Sequence, residues 1–197
     1  MKLVIIAAGQ GSRLRSAAGQ INKTILEIGD RSLMEYLLAN ARICAVEGCV
    51  VVTGYHSQAI EEFLDGLDTD LQIETVHNPH WRQPNGISVL AARPFIGAGE
   101  DFLVTMSDHL YEPALLRAVL NSQLEDTIAN VALDFNIDAI FDIDDGMKVA
   151  VDGDNRQTIT AMSKTLQRYD AIDCGVFKCG YEFFNYLDQA AAAGRGS

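Results

Sequence analysis

Short runs of branched apolar residues alternate with stretches in which apolar positions recur every three or four residues. Residues 3–7, 49–53, 72–77 and 102–106 are predicted strands. Residues 33–45, 57–64, 87–92 and 113–122 are predicted helices between and after them. Ser32 stands at the helix-capping position, and Glu35 three residues on completes a capping box. Such alternation predicts an α/β fold on a mostly parallel sheet. The second half changes character: residues 130–135, 147–151, 158–162 and 174–177 read as strands with little helix between them. They predict an antiparallel extension of the parallel core. Residues 180–193 close the chain as a helix, with 190–197 a fraying end.

The length of 197 residues and 48% apolar content suit one domain, which buries roughly 70% of its unfolded surface without a disulfide or metal staple. Fifteen basic residues against 27 acidic ones leave a net charge of −12, the wrong balance for a nucleic-acid binder. A phosphorylated small molecule remains open, because a few local cations override the global field. No apolar stretch approaches the ~18 residues of a membrane-spanning helix, and the apolar N-terminal run leads into Gly-Gln-Gly, as a buried strand does and a signal peptide does not. Cys44/Cys49 and Cys174/Cys179 match neither zinc nor redox spacings. They read as small apolar filler in a reducing cytoplasm. Residues 134–154 carry seven aspartates and one lysine, without the order of an EF-hand loop.

Gly9-Gln10-Gly11-Ser12-Arg13-Leu14 directly follows the first strand. A glycine loop there turns several backbone N–H groups toward an anion. It lacks the Gly-Lys-Ser/Thr of a Walker A loop, and Leu14 stands where a dinucleotide fingerprint has its third glycine. Two readings stay open at this point, a turn built of glycine for geometry alone and a phosphate cradle. Arg13 and Lys23 add two cations near the loop, as phosphate ligands or as solvated surface charges.

With those cations, Ala7-Ala8-Gly9-Gln10-Gly11-Ser12-Arg13-Leu14 and Lys23 resemble the N-terminal signature of nucleotidyltransferases that activate sugar phosphates and related alcohols. Asn22 is a departure, since the family has Pro before the lysine. Three further segments follow in the family's order. Asn78, Trp81 and Asn85-Gly86-Ile87-Ser88 look like the base-and-ribose segment of cytidylyltransferases for inositol phosphate and phosphocholine. On physical grounds alone this segment is equally a helix start with Asn85 as cap and Trp81 as core anchor. Ser107-Asp108-His109 puts a carboxylate just past a strand end, where open α/β sheets bind ligands. There Asp108 is either a Mg²⁺ ligand or a turn cap. Finally, Lys148, Lys164 and the run Tyr169-Asp170-Ala171-Ile172-Asp173-Cys174-Gly175-Val176-Phe177 are similar to the CTP:inositol-1-phosphate cytidylyltransferases.

The resemblance implies a three-layer, Rossmann-like nucleotidyltransferase fold, mainly parallel with an antiparallel extension, as one domain over residues 1–197. It implies transfer of CMP from CTP to inositol-1-phosphate, giving CDP-inositol and pyrophosphate. Nucleotide contacts are expected from Ala7, Ala8, Gly9, Gln10, Gly11, Ser12, Arg13, Lys23, Asn85, Gly86 and Ser88. Arg13, Lys23, Asp108 and Lys164 are expected to be catalytic, with Mg²⁺ on Asp108 and the acceptor held by His109, Lys148, Lys164 and Asp173. Family members usually continue to a segment with a second metal-binding aspartate and are often fused to a membrane-embedded synthase. This chain ends at Ser197, so Asp173 is the in-chain candidate for that second carboxylate. Alternatives are a phosphocholine enzyme, with Tyr111, Tyr169 and the acidic turn as a cage (Lys148 favours a polyol instead), and a non-catalytic nucleotide-binding module. A homodimer is left open.

Overall fold

A computed structural model describes residues 1–11, 22–153 and 158–194. Its plan is set by the first strand, β1 (Lys2–Ala7). The pleat sends Leu3, Ile5 and Ala7 to one face and Val4 and Ile6 to the other, and all five are buried. A strand apolar on both faces needs helices on both, and it has them. The first face is covered by α1 (Leu33–Ile43), α2 (Ser57–Asp65) and α4 (Pro113–Asn121). The second is covered by α3 (Asn85–Ala91) and α5 (Phe183–Ala192), where the Phe184 ring stacks on Phe102 at 4.6 Å between centroids.

The parallel half of the sheet runs β5 (Ile73–His77), β4 (Gly48–Thr53), β1, β6 (Phe102–Met106). Next to β6 lies the antiparallel β10 (Ala171–Cys179), followed by β8 (Lys148–Val151) and β9 (Ile159–Ser163). The other edge of β10 takes β7 (Ala129–Asp134), with a bulge between Asp173 and Phe177. β6 pairs with residues 176–179 of β10 and β8 with 171–172. Residues 173–175 are therefore left between them, at the C-terminal end of the parallel strands.

The predicted architecture of a mainly parallel three-layer core with an antiparallel extension is what the chain adopts, with shifted boundaries. The predicted helix over 33–45 stops at Ile43 because Ala45 turns into the left-handed region, φ 55°. The helix at 87–92 starts two residues early, at Asn85, and its cap is Pro84, so Asn85 is not the cap. The strand at 174–177 extends to Ala171–Cys179. A short hairpin, β2 (Glu27–Ile28) and β3 (Arg31–Ser32), was not anticipated; its turn carries Gly29 at φ 75°. The capping box of Ser32 and Glu35 forms as predicted. All four cysteines are free thiols, with Cys44, Cys49 and Cys179 buried. No helix among the described residues is long and apolar enough to cross a membrane.

Candidate active site

Three parallel strands end side by side, and the chain leaving each is stitched to its neighbour. The Tyr55 N–H, after β4, donates to the carbonyl of Ala8 at 3.0 Å, and the Ser107 N–H, after β6, donates to that of Ile6 at 3.1 Å. This is the edge at which open α/β sheets take ligands. Ala7 and Ala8 are buried there and Gly9 is exposed. Gly11, at φ 60°, lies so close to Lys23 that an added Cβ would stand 3.2 Å from its Cδ. The loop thus rests on the aliphatic stem of that lysine, a contact only glycine permits without displacement. Ser12 and Arg13 lie outside the described residues.

Lys23 opens a single 3₁₀ turn, Lys23–Ile25, and Asn22 explains why it can replace proline. Its φ of −67° is the value a proline ring would impose. In addition, its side-chain oxygen accepts from the Thr24 N–H at 3.0 Å while its amide donates to the Tyr55 carbonyl at 3.3 Å. Asn22 supplies by hydrogen bonds the order that proline supplies covalently.

From this turn Lys23 reaches Asp108, 85 positions away, and its Nζ donates to Oδ2. At the neighbouring chain positions, Thr24 Oγ1 and Ser107 Oγ are hydrogen-bonded at 2.9 Å in a buried contact. The other Asp108 oxygen, Oδ1, lies 3.0 Å from His109 Nδ1. An ionised carboxylate only accepts, so Nδ1 carries the proton. The His109 bond, with the Lys23 ammonium, holds the Asp108 carboxyl well below the usual carboxylate range against the opposing effect of partial burial.

Asp173 lies across the gap in the sheet. Its Oδ1 accepts from the Gly175 N–H at 2.6 Å, and burial raises its pKa despite that bond and the nearby His109 charge. Gly175 has φ 71°, and an added Cβ would fall 2.7 Å from the His109 ring. The bulge of β10, His109 and the strand end of β6 are therefore packed as one unit. Among the described residues no group of three or more His, Cys, Asp and Glu side chains surrounds one point, so they form no protein cage of the zinc type. Asp108 bonds His109 and Asp173 lies within its electrostatic influence; carboxylates are the donor type that Mg²⁺ takes, one or two at a time, completing its shell with waters and substrate phosphates.

The remaining predicted residues divide. Asn85 is exposed in the first turn of α3, its amide 3.8 Å from Met106 Sδ at the end of β6, and so faces the same edge. Gly86 allows close approach of Leu187 from α5. Ser88 is buried, and its hydroxyl accepts from Asn78 Nδ2 at 3.0 Å, making it a strut beneath the loop. Trp81 packs over Gly54, where an added Cβ would lie 2.5 Å from the Trp81 Cβ, and beside Tyr55. Lys148 is buried and donates to the carbonyls of Lys164 at 3.0 Å and Asp144 at 3.5 Å, which ties β8 to the acidic turn. Lys164 is half exposed, with its ammonium 3.1 Å from Asp145 Oδ1. Lys148 pairs across the ladder with Ile172, next to Asp173, which brings the antiparallel half to the rim of the site. Thr24 and Ser107 were not singled out as site residues. A contact between positions 83 apart leaves no local signal in a sequence.

Residues 3–138 match the MobA-like NTP transferase domain family. The chain is 30% identical over 192 residues, 97% of its length, to a bifunctional IPC transferase and DIPP synthase of Rubrobacter xylanophilus. It is 25% identical over 188 residues to the protein of the same description from Aquifex aeolicus. In both cases the match spans 41% of the relative. Among solved structures, the inositol-1-phosphate CTP transferase from T. maritima superposes with a TM-score of 0.80 over 98% of this chain and 81% of that one, at 21% identity. A putative glucose-1-phosphate thymidylyltransferase from Bacillus anthracis reaches the same TM-score at 17% identity, covering 100% and 78%. The glycine loop, the Lys23–Asp108 pair and these matches lead to one conclusion: the chain belongs to the MobA-like NTP transferase family.

Proposed function

We propose that the chain transfers CMP from CTP to inositol-1-phosphate, releasing pyrophosphate, in a Mg²⁺-dependent reaction in the cytoplasm. The observation that carries this reading is the meeting of Lys23 and Asp108 beside the glycine loop, at the C-terminal ends of β1 and β6. The names of the Rubrobacter and Aquifex relatives support the choice of acceptor.

A phosphate monoester has its second pKa near 6 and is already ionised at neutral pH. The reaction then needs no general base, and the protein's work is alignment and charge neutralisation. Backbone amides of residues 9–11, with Arg13, bind the β- and γ-phosphates and stabilise the departing pyrophosphate. The Lys23 ammonium neutralises charge at the α-phosphate. Asn85, exposed at the start of α3, reads the base edge. Asp108, kept ionised, and Asp173 would hold the cation, which when bound would polarise phosphate oxygens. Lys164 draws in the acceptor phosphate from the antiparallel side, and His109 fixes the orientation of the Asp108 carboxylate. Lys148, buried on two carbonyls, positions the strand that carries this rim.

Pyrophosphate release measured with each of the four NTPs, and with inositol-1-phosphate or phosphocholine as acceptor, tests the proposal. Release confined to CTP with inositol-1-phosphate is expected. Release with phosphocholine instead would replace the acceptor. Nucleotide binding without release for any pair would identify a regulatory module and refute the enzyme reading.

A further inference from the structure

We propose that in the ligand-free chain Lys23 acts as a stand-in cation on Asp108, so that a divalent cation and the nucleotide phosphates are admitted together rather than in turn. This inference rests on the reading of the site given above and concerns the order in which the site is filled.

Both oxygens of Asp108 are engaged, Oδ2 by the Lys23 ammonium and Oδ1 by His109 Nδ1. A free hydrated cation therefore meets a carboxylate whose charge the Lys23 ammonium already compensates. The backbone beneath cannot give way easily, because the hydroxyls of Thr24 and Ser107 lock the two segments together in a buried contact. Asn22 pins the turn to Tyr55 as well. What can move is the four-carbon side chain of Lys23, whose stem already lies under Gly11. Swinging about that contact carries the ammonium from the Asp108 carboxylate toward the space under the glycine loop, where a phosphate would meet it. The other lysines at the rim are committed elsewhere, Lys148 to carbonyls and Lys164 to Asp145.

Metal alone has either to displace the ammonium from the carboxylate or to share the carboxylate with it and sit beside a like charge. Metal arriving with phosphate does neither, because the phosphate takes the ammonium as the metal takes the carboxylate. By linkage, the factor by which nucleotide strengthens metal binding equals the factor by which metal strengthens nucleotide binding. In this site most of that factor is released by one side chain.

The test is a Mn²⁺ titration of the full chain without nucleotide, followed by electron paramagnetic resonance. It compares wild type, Lys23→Met, and Lys23→Met combined with Asp108→Asn; Lys23→Gln serves if the Met variant loses its near-ultraviolet circular dichroism. Removing the competing pair and the like charge should tighten binding of the metal alone by roughly five- to thirtyfold, and Asp108→Asn should abolish the gain. Equal Mn²⁺ affinity in wild type and Lys23→Met would overturn the proposal and make Lys23 a fixed partner of the carboxylate. A gain that persists with Asp108→Asn would overturn it too, as a general charge effect. Pyrophosphate release from the same wild-type preparation separates the two levels. Its absence with every NTP would refute the proposed reaction, while the Mn²⁺ titration would still decide the place of Lys23.

Discussion

Replacing Thr24 with Val removes one hydroxyl from the joint that aligns Lys23 with Asp108. Thr24 is 1% exposed and Ser107 is 5% exposed, so in Thr24→Val the Ser107 hydroxyl keeps its desolvation and loses its partner. Leaving a buried polar group unpaired costs about 1–3 kcal/mol. For a chain of this length each kcal/mol lowers Tm by about 2–4 °C, which puts the variant roughly 2–12 °C below wild type. Ser107→Ala should fall in the same range, since it orphans the Thr24 hydroxyl instead. The double variant leaves nothing unpaired and should be less destabilised than the sum of the two, by about 0.5–1.5 kcal/mol. Urea unfolding of the four proteins completes the cycle. If the double variant equals the sum of the singles, the two hydroxyls are not coupled and the proposed clamp does not exist.

Three other outcomes follow from particular contacts. Gly175→Ala forces a side chain into the left-handed region and onto the His109 ring; it should cost at least about 1–2 kcal/mol and shift the His109 resonances, and an unchanged Tm would contradict the packing described. Asp173 has its pKa raised by burial, so the stability it contributes is present below the ordinary carboxylate range and lost as pH rises through the raised value. Asp173→Asn should therefore raise the urea midpoint at pH 8 in EDTA and stop doing so below about pH 4; an equal gain at both pH values would refute the assignment. Asn85→Ala should narrow the preference for CTP over UTP in kcat/KM by roughly tenfold, and unchanged selectivity would remove Asn85 from base readout.

The order of elements was legible because β1, β4 and β6 are apolar on both faces and the helices between them carry their own start signals, such as Ser32 with Glu35. Asp108 was legible as a candidate for a local reason as well, being a carboxylate just past the end of an apolar strand. The partners that give it its character were not. Lys23 and Thr24 meet Asp108 and Ser107 across more than 80 positions, and only the sheet order brings them together. Asn22 read as a departure from a pattern until its φ and its two side-chain bonds showed how it does the work of proline. Gly175 lies within the run Tyr169–Phe177, yet its need for a positive φ depends on the bulge in β10 and the ring of His109. Lys148 and Ser88 show the converse. Their residue types suit a ligand site, but each is buried on an internal partner.

The proposed reaction places its chemistry at Asp108. Its most direct test is pyrophosphate release from CTP and inositol-1-phosphate by wild type and by Asp108→Asn, with thermal unfolding of both recorded in parallel. Wild type should release pyrophosphate, and the variant should lose at least about a hundredfold while still unfolding cooperatively. A folded Asp108→Asn protein that releases pyrophosphate at the wild-type rate would contradict that placement.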